Sequence, residues 1–198
     1  MFAGIRSFWN SSWTLFWKRG LLVAFLNGVY FSTILVTAFF SQFLPPSFSG
    51  FSSQVSPVPS FEFDNVLSMI LGIFLFNFCV SAFLVVTLPG VVFFGFSVAL
   101  LVARAALWGY LINQLPILSF LLALPTLVLE GEGYVVASLA GAVLGLSWLK
   151  PEWMYKSESV GRMGAFKHAL RECGYWFFLV GVLLFFAAVI EALTLLKL

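Results

Sequence analysis

Four ionisable residues occur inside or beside long apolar stretches of the sequence, where charge is costly: Arg104, Glu130, Glu132 and Glu191. An ionised group at the centre of a bilayer costs about 2.5–3.5 kcal/mol on insertion scales. Such residues therefore face the protein interior, pair with one another or mark a pathway. Three carboxylates beside one guanidinium leave an excess of acid, so at least one glutamate is expected to carry a proton. These residues predict an intramembrane polar site.

The residue types allow three interpretations of this site. In the first, Glu130, Glu132 and Glu191 form a proton- or cation-linked site at a broken helix, because transporters build sites from interrupted helices and carboxylates. In the second, Arg104 forms an internal ion pair with Glu130 or Glu132 that fixes the register of the helices. In the third, Glu132 or Glu191 lies near a membrane interface, where its charge costs little. Asn77, which also lies in an apolar stretch, adds a side chain that can hydrogen-bond across helices.

The sequence gives little support for an enzyme. Its one histidine, His168, lies in a polar stretch without a clustered partner, which makes a poor metal site, although a site built from carboxylates alone is left open. Cys79 and Cys173 lie at apolar stretches without CxxC spacing, and we interpret both as packing residues. No GxSxG motif precedes an apolar helix. We therefore predict no enzymatic activity and no cofactor.

The composition places these residues in a membrane protein. The chain of 198 residues is 62% hydrophobic and 9% charged, whereas roughly a quarter of the residues of a soluble domain are charged. Too few polar side chains remain to cover a surface in water, so the expected solvent is the lipid bilayer. A net charge of +2 without a run of basic residues gives no nucleic-acid-binding face.

The apolar stretches predict an all-α polytopic membrane protein, a single membrane domain over residues 1–198 with about five transmembrane helices. A span needs about 20 apolar residues. We predict spans over residues 20–43, 65–88, 91–112, 134–149 and 174–196, with a half-membrane segment over 117–129. Pro125, Gly131 and Gly133 are predicted to break the long stretch from 117 to 149. Non-helical backbone at this depth must lie inside protein or along a wet cavity, so the break should face the bundle interior.

The positive-inside rule orients the chain in the cell membrane. Arg6, Lys18 and Arg19 precede the first span, five cations occupy residues 150–172, and the loop between the first two spans has none. We therefore predict a cytoplasmic N-terminus and an outside C-terminus. Two full spans between residues 117 and 149 would put the basic segment outside, so the chain is expected to cross five times, with one broken or re-entrant helix.

Two amphipathic segments and one small-residue motif complete the prediction. Residues 1–19 are predicted to form an interfacial amphipathic helix in the headgroup plane. Residues 150–172 are predicted to form a basic amphipathic segment on the cytoplasmic surface, against anionic lipid or a protein partner, or as a solvated linker. Gly141 and Gly145 form a GxxxG motif that serves either packing within the chain or a homodimer face.

Several motifs, taken in order, resemble the stage II sporulation protein M family of membrane proteins. The matching segments are Phe76-Asn77-Phe78, Gly90 with Gly95, Pro125-Thr126-Leu127-Val128-Leu129-Glu130, Ala137-Ser138-Leu139-Ala140-Gly141 and Ala187-Ala188-Val189-Ile190-Glu191-Ala192. One departure is Thr126-Leu127, where bacterial members often have His-Gly after the proline. The resemblance covers the chain from about Val66 to its end, and it implies the fold more firmly than the role.

The resemblance also implies a function. In spore formers the family is associated with membrane engulfment and with peptidoglycan-remodelling complexes. The expectation is a non-enzymatic integral membrane protein that acts through membrane or cytoplasmic protein partners, in membrane remodelling or complex assembly. The alternative is a small transporter or channel, as a homodimer, with a proton- or cation-linked glutamate site.

Overall fold

The protein is a bundle of long helices. The computed structural model describes residue 14 and residues 18–43, 65–155 and 161–196, and these ranges contain no strand. The helices are α1 (Gly20–Ser41), α2 (Val66–Val92), α3 (Phe94–Ile112), α4 (Ile117–Leu149), the short α5 (Pro151–Met154) and α6 (Arg162–Leu195). All except α5 are long and apolar enough to cross a membrane. The predicted class, an all-α polytopic membrane protein with five spanning helices, is confirmed.

The central helix of the bundle is α4. Of the residues in its most apolar stretch 83% are buried, whereas the corresponding fractions for α1, α2, α3 and α6 lie between 22% and 33%. Every residue from Gly133 to Gly145 is buried. The long helix α6 packs along α4, and α1, α2 and α3 also contact it. A helix that is apolar on all sides is expected at the centre of such a bundle, with its neighbours facing the lipid.

Glycines on α4 allow the chain to approach it closely. A Cβ atom added at Gly141 would lie 2.7 Å from the carbonyl oxygen of Thr87, and one added at Gly145 would lie 2.8 Å from the backbone nitrogen of Phe94. Gly90 makes the matching close approach from α2, since a Cβ atom added there would lie 2.8 Å from the Gly141 backbone. Small residues permit such contacts between membrane helices. The GxxxG motif therefore packs inside the chain, against α2 and the start of α3.

The predicted break in α4 is wrong, because residues 117–149 form one continuous helix. Pro125 lies inside this helix, and Gly131 and Gly133 are helical too. A helical glycine costs about 1 kcal/mol relative to alanine, and proline removes one backbone hydrogen bond. Packing on all sides of α4 outweighs these local preferences. A single long crossing also keeps Lys150 at the end of the bundle where α1 begins, so the charge argument needs no break.

The turn between the second and third spans lies at Phe93, and not at residues 89–90, between the predicted spans 65–88 and 91–112. Phe93 has extended backbone angles, with φ −149° and ψ 121°. Pro89 lies within α2, just after the backbone changes from π-helical to α-helical hydrogen bonding at the stretch Leu88–Val92. The preceding stretch, Phe76–Thr87, is π-helical.

The structure describes only parts of the two predicted amphipathic segments, residues 1–19 and 150–172. Most of residues 1–19, with the predicted interfacial helix, lie outside the described residues, as do residues 156–160. In the predicted segment 150–172, the structure has α5 and then the first residues of α6. The helix α6 contains 34 residues, which at 1.5 Å per residue is about 50 Å and exceeds the hydrocarbon thickness of about 30 Å. The end of that segment is therefore a continuation of the last span.

Candidate functional site

A buried polar cluster joins α2, α3 and α4. Arg104 of α3 forms an ion pair with Glu130 of α4, with 2.8 Å between Nη2 and Oε1, and their side chains are 19% and 3% exposed. The hydroxyl of Tyr134 accepts a hydrogen bond from Arg104 Nη2. The same hydroxyl lies 2.5 Å from Glu130 Oε1 and 3.0 Å from Asn77 Oδ1. The sequence left Arg104 a choice of two acids, and the structure pairs it with Glu130.

Local geometry explains how these side chains meet. Glu130 and Tyr134 are four residues apart on α4 and therefore share one face of the helix. The guanidinium of Arg104 lies over the Tyr134 ring, with Cζ 4.1 Å from its centroid. This cation–π contact adds a further attraction for a charge that has left water. Tyr134 thus holds both charged groups, one through its ring and one through its hydroxyl.

Asn77 reaches this cluster from the π-helical stretch of α2. π-Helical turns are uncommon and occur frequently at functional sites. Asn77 and Ser81 in this stretch are both buried, and the Thr87 hydroxyl at its end is shared between the carbonyl oxygens of Ala82 and Ala137, each at 2.9 Å. The π-helical stretch therefore directs polar side chains onto the central helix.

The balance of charge in this cluster favours a positioning role. Removing one partner from a buried ion pair typically costs about 3–5 kcal/mol, because the other charge is left without compensation. Here one guanidinium meets one carboxylate, and the neutral side chains of Asn77 and Tyr134 add hydrogen bonds to the pair, while Arg104 Nε has no partner among the described residues. The cluster is thus neutral as a unit and links three helices.

Glu132 lies on a different side of α4. Residues two apart on an α-helix point about 200° away from each other, so the Glu130 and Glu132 side chains leave α4 in nearly opposite directions. Glu132 lies beside Asn27 of α1. Tyr30, one turn further along α1, packs its ring against the backbone of Gly131. Glu132 therefore belongs to the contact between α1 and α4.

Glu191 lies near the end of α6, four residues before the helix ends at Leu195. The charges of Glu130 and Arg104 act on it, but no ion pair of Glu191 or Glu132 occurs within residues 18–43, 65–155 and 161–196. In the same ranges no three His, Cys, Asp or Glu side chains group as metal ligands. Glu191 thus lies within electrostatic range of the Arg104–Glu130 pair, whereas Glu132 lies beside Asn27 of α1.

A second polar cluster, missed by the sequence reasoning, lies where α1 begins. Arg19 pairs with Glu172 of α6, with 3.3 Å between Nη2 and Oε2, and donates from Nη1 to the carbonyl oxygen of Met154 at 3.5 Å. Its guanidinium lies 5.7 Å from the ring centroid of Tyr155. Burial, and then the charge of Glu172, raise the pKa of Tyr155 to about 12, so its hydroxyl stays protonated at neutral pH. This cluster ties the start of α1 to α5 and α6.

Tyr134 and Tyr30 were also missed from the sequence. Tyrosine is a common packing residue, and the sequence around Tyr134 or Tyr30 does not distinguish a tyrosine of a polar cluster from one that only packs. For Tyr134 the spacing of four residues from Glu130 is the one usable signal. Arg19 directly precedes a span, and the positive-inside rule alone accounts for a basic residue there. The sequence therefore contains no separate signal for the pairing of Arg19 with Glu172.

Comparison with known families identifies a match over most of the chain. The family model described as Stage II sporulation protein M matches residues 20–194. The match covers most of the chain and runs from the start of α1 nearly to the end of α6. It therefore contains the cluster of Arg104, Glu130, Tyr134 and Asn77. No curated protein and no solved structure matches the chain.

Proposed function

This chain belongs to the stage II sporulation protein M family, and from that premise we propose that it acts without enzymatic activity, through protein partners, in complex assembly or membrane remodelling. The chain is a multi-pass membrane protein. Its partners are expected within the cell membrane or at the cytoplasmic end of the bundle. The protein would serve as a rigid unit on which those partners assemble.

The Arg104–Glu130 ion pair is the observation that carries this proposal. Both charged groups are engaged by each other and by Tyr134, and Arg104 also contacts Asn77. A site that worked by chemistry or by moving an ion would keep a reactive or exchangeable group free. This centre instead supports a fixed arrangement of α2, α3 and α4. The outer faces of the surrounding helices remain for contacts with other membrane proteins.

Site-specific photocrosslinking in native membranes tests the assembly role. A photoreactive residue would replace Leu21, Leu35 or Val92, which are 92%, 71% and 72% exposed on the outside of the bundle. At least one position is expected to give a discrete adduct with a different protein, identified by mass spectrometry and confirmed by tagging that protein in turn. Leu139, fully buried in α4, is the matched control and should give no such adduct.

Two results would contradict the assembly role. The first is crosslinking to lipid alone from all three exposed positions. The second is recovery of adducts between copies of this chain only, because partner-dependent assembly requires a second protein. An adduct at Leu139 as strong as those at the exposed positions would show that the crosslinks report unfolded chains.

A second candidate function, proton- or cation-linked transport, is favoured by Glu132 and Glu191. Both lie in spanning helices, and neither has an ion-pair partner in the described part of the chain. Proteoliposomes containing the purified protein would then show a flux driven by a proton or cation gradient. Glu132→Gln should abolish that flux, with Glu152→Gln, in the exposed part of α5, as the control. Equal flux in wild type, Glu132→Gln and empty liposomes would reject transport.

A further inference from the structure

The contact between α1 and α4 leaves polar atoms without partners. The Tyr30 side chain is fully buried and its hydroxyl has no hydrogen-bond partner, and the same holds for the Oδ1 atom of Asn27. Asn27 uses its Nδ2 atom to donate to the carbonyl oxygen of Val23 at 3.3 Å. Its amide oxygen is thus left as an unused acceptor. Buried polar atoms without partners are rare in folded proteins, so each calls for an explanation.

These atoms lie on the face of α1 that meets α4 around Gly131 and Glu132. Asn27 and Tyr30 are three residues apart on α1 and therefore share one face. Asn27 lies beside Glu132, and the Tyr30 hydroxyl is 3.2 Å from where a Cβ atom of the adjacent Gly131 would be. The absent side chain at Gly131 gives the phenol its room. Three oxygen-bearing groups from two helices are therefore brought to one place.

The charges around Glu132, at the contact between α1 and α4, do not balance. Tyr30 is within electrostatic range of Glu130, Arg104 and Glu132. Arg104 is engaged by Glu130 and Tyr134, so Glu132 has no cationic side chain of its own in the described ranges. A carboxylate at membrane depth without a counter-charge is costly. One positive charge from a bound ion would remove that cost and satisfy the two free oxygens as well.

We propose that Glu132, Asn27 and Tyr30 form a binding site for one monovalent alkali cation, Na⁺ or K⁺, between α1 and α4. Carboxylate, amide and hydroxyl oxygens are hard ligands that suit hard cations. A single unpaired carboxylate balances one positive charge, whereas a divalent ion would leave an excess charge inside the membrane. The site does not depend on the assembly role. Under the transport candidate it would name the ion that is moved.

Thermal unfolding of the full-length protein in nanodiscs of neutral lipid tests the site. Sodium or potassium chloride replaces choline chloride stepwise at constant ionic strength, and tryptophan fluorescence reports Tm. Because a ligand that binds only the folded state stabilises it, Tm is expected to rise with Na⁺ or K⁺ and then level off. Choline is a bulky quaternary ammonium ion that oxygen ligands do not coordinate as they do Na⁺ or K⁺, and it should leave Tm unchanged.

Three variants locate the response. Glu132→Gln should abolish it, and Asn27→Leu and Tyr30→Phe should each raise the half-saturating concentration about tenfold or more, as loss of one supporting ligand does in metal sites. Glu152→Gln removes an exposed carboxylate from α5 and should keep the wild-type response. Binding of radioactive ²²Na⁺ to wild type, displaced by unlabelled Na⁺ or K⁺, checks the site without any variant.

Three outcomes would overturn the proposal. The first is a Tm that is the same in Na⁺, K⁺ and choline, together with no ²²Na⁺ binding. The second is an unchanged cation response in Glu132→Gln. The third is stabilisation by lower pH with no effect of the cation, which would make the occupant a proton. Binding without flux would keep this site and reject transport, and the photocrosslinking result is independent of both.

Discussion

At the scale of single residues, Arg104 and Glu130 illustrate how a membrane protein accommodates two buried charges. Their attraction alone would have to exceed the loss of hydration of both groups. Tyr134 supplies a ring face for the cation and a hydroxyl beside the carboxylate, and Asn77 adds an amide oxygen. The neutral residues thus add contacts to an ion pair that the two charged groups alone would satisfy poorly.

A double-mutant cycle measures this coupling. Arg104→Leu alone is expected to cost about 3–5 kcal/mol of unfolding free energy because it leaves Glu130 buried and unpaired. Combining it with Glu130→Gln should cost less than the sum of the two single changes by at least about 1 kcal/mol. The measurement is reversible unfolding in mixed detergent micelles. The matched cycle with Glu132→Gln should be additive, and additivity in both cycles would show that Arg104 and Glu130 do not interact.

Tyr134→Phe tests the hydroxyl separately from the ring. The ring stays over Arg104, but Glu130 and Asn77 lose a shared hydrogen-bond partner. The expected cost is about 1–3 kcal/mol, the range for unsatisfied buried polar groups. Tyr30→Phe in choline chloride is the matched control, because the Tyr30 hydroxyl has no protein partner, and it should cost less. A Tyr134→Phe protein as stable as wild type would assign the tyrosine a packing role alone.

Sequence reasoning could find some of these residues and not others. A charge in an apolar stretch is visible in composition, so Arg104 and the glutamates could be predicted. The choice between Glu130 and Glu132 as the partner of Arg104 could not, because it depends on which side of α4 faces α3. The contribution of Asn77 depends on a π-helical stretch, and its apolar residues carry no local signal for that conformation.

At the scale of helices, α4 shows tertiary packing overriding local preference. Pro125, Gly131 and Gly133 each weaken a helix, and together they predicted a break. The same glycines have another use in a central helix, because Gly131 admits the Tyr30 ring and Gly133 admits Leu184 of α6. A small residue that admits a neighbour and one that ends a helix have the same appearance in a sequence.

A matched pair of glycine substitutions tests the close approach to α4. Gly145→Ala would place a methyl group against the Gly90 carbonyl oxygen and 2.8 Å from the Phe94 nitrogen. Forced overpacking of this kind costs about 1–3 kcal/mol. Gly28→Ala in α1 has nothing within 4 Å of the added atom, and better helix propensity should leave it neutral or up to about 1 kcal/mol more stable. Equal unfolding free energies for the two variants would mean that α2 and α3 do not approach α4 so closely.

At the scale of the whole molecule, two clusters at different depths fix the bundle. The Arg104 cluster joins α2, α3 and α4 inside it, and the Arg19–Glu172 pair joins α1 to α6 where α1 begins. Composition and span length were enough to predict the membrane class and five spanning helices. They could not predict how far α4 and α6 continue beyond the hydrocarbon, because a helix that leaves the bilayer no longer needs apolar residues.

Orientation in the membrane is the prediction that belongs to the whole chain. Five crossings put the loop that contains Ser52 and the segment that contains Ser159 on opposite sides, and the basic residues put the latter in the cytoplasm. Both positions lie outside the described residues. In a background of Cys79→Ala and Cys173→Ala, Ser52→Cys should react with a membrane-impermeant maleimide added to intact cells. Ser159→Cys should react only after the cells are opened.

The labelling pattern also tests the continuous α4. If α4 crosses once, both cysteines keep these opposite sides, and Leu139→Cys, buried in α4, reacts from neither side until the protein is denatured. Two crossings between residues 117 and 149 would move Ser159→Cys to the outside, where it would react in intact cells together with Ser52→Cys. Labelling from the same side would thus reject both the five crossings and the cytoplasmic position of the Arg19–Glu172 pair.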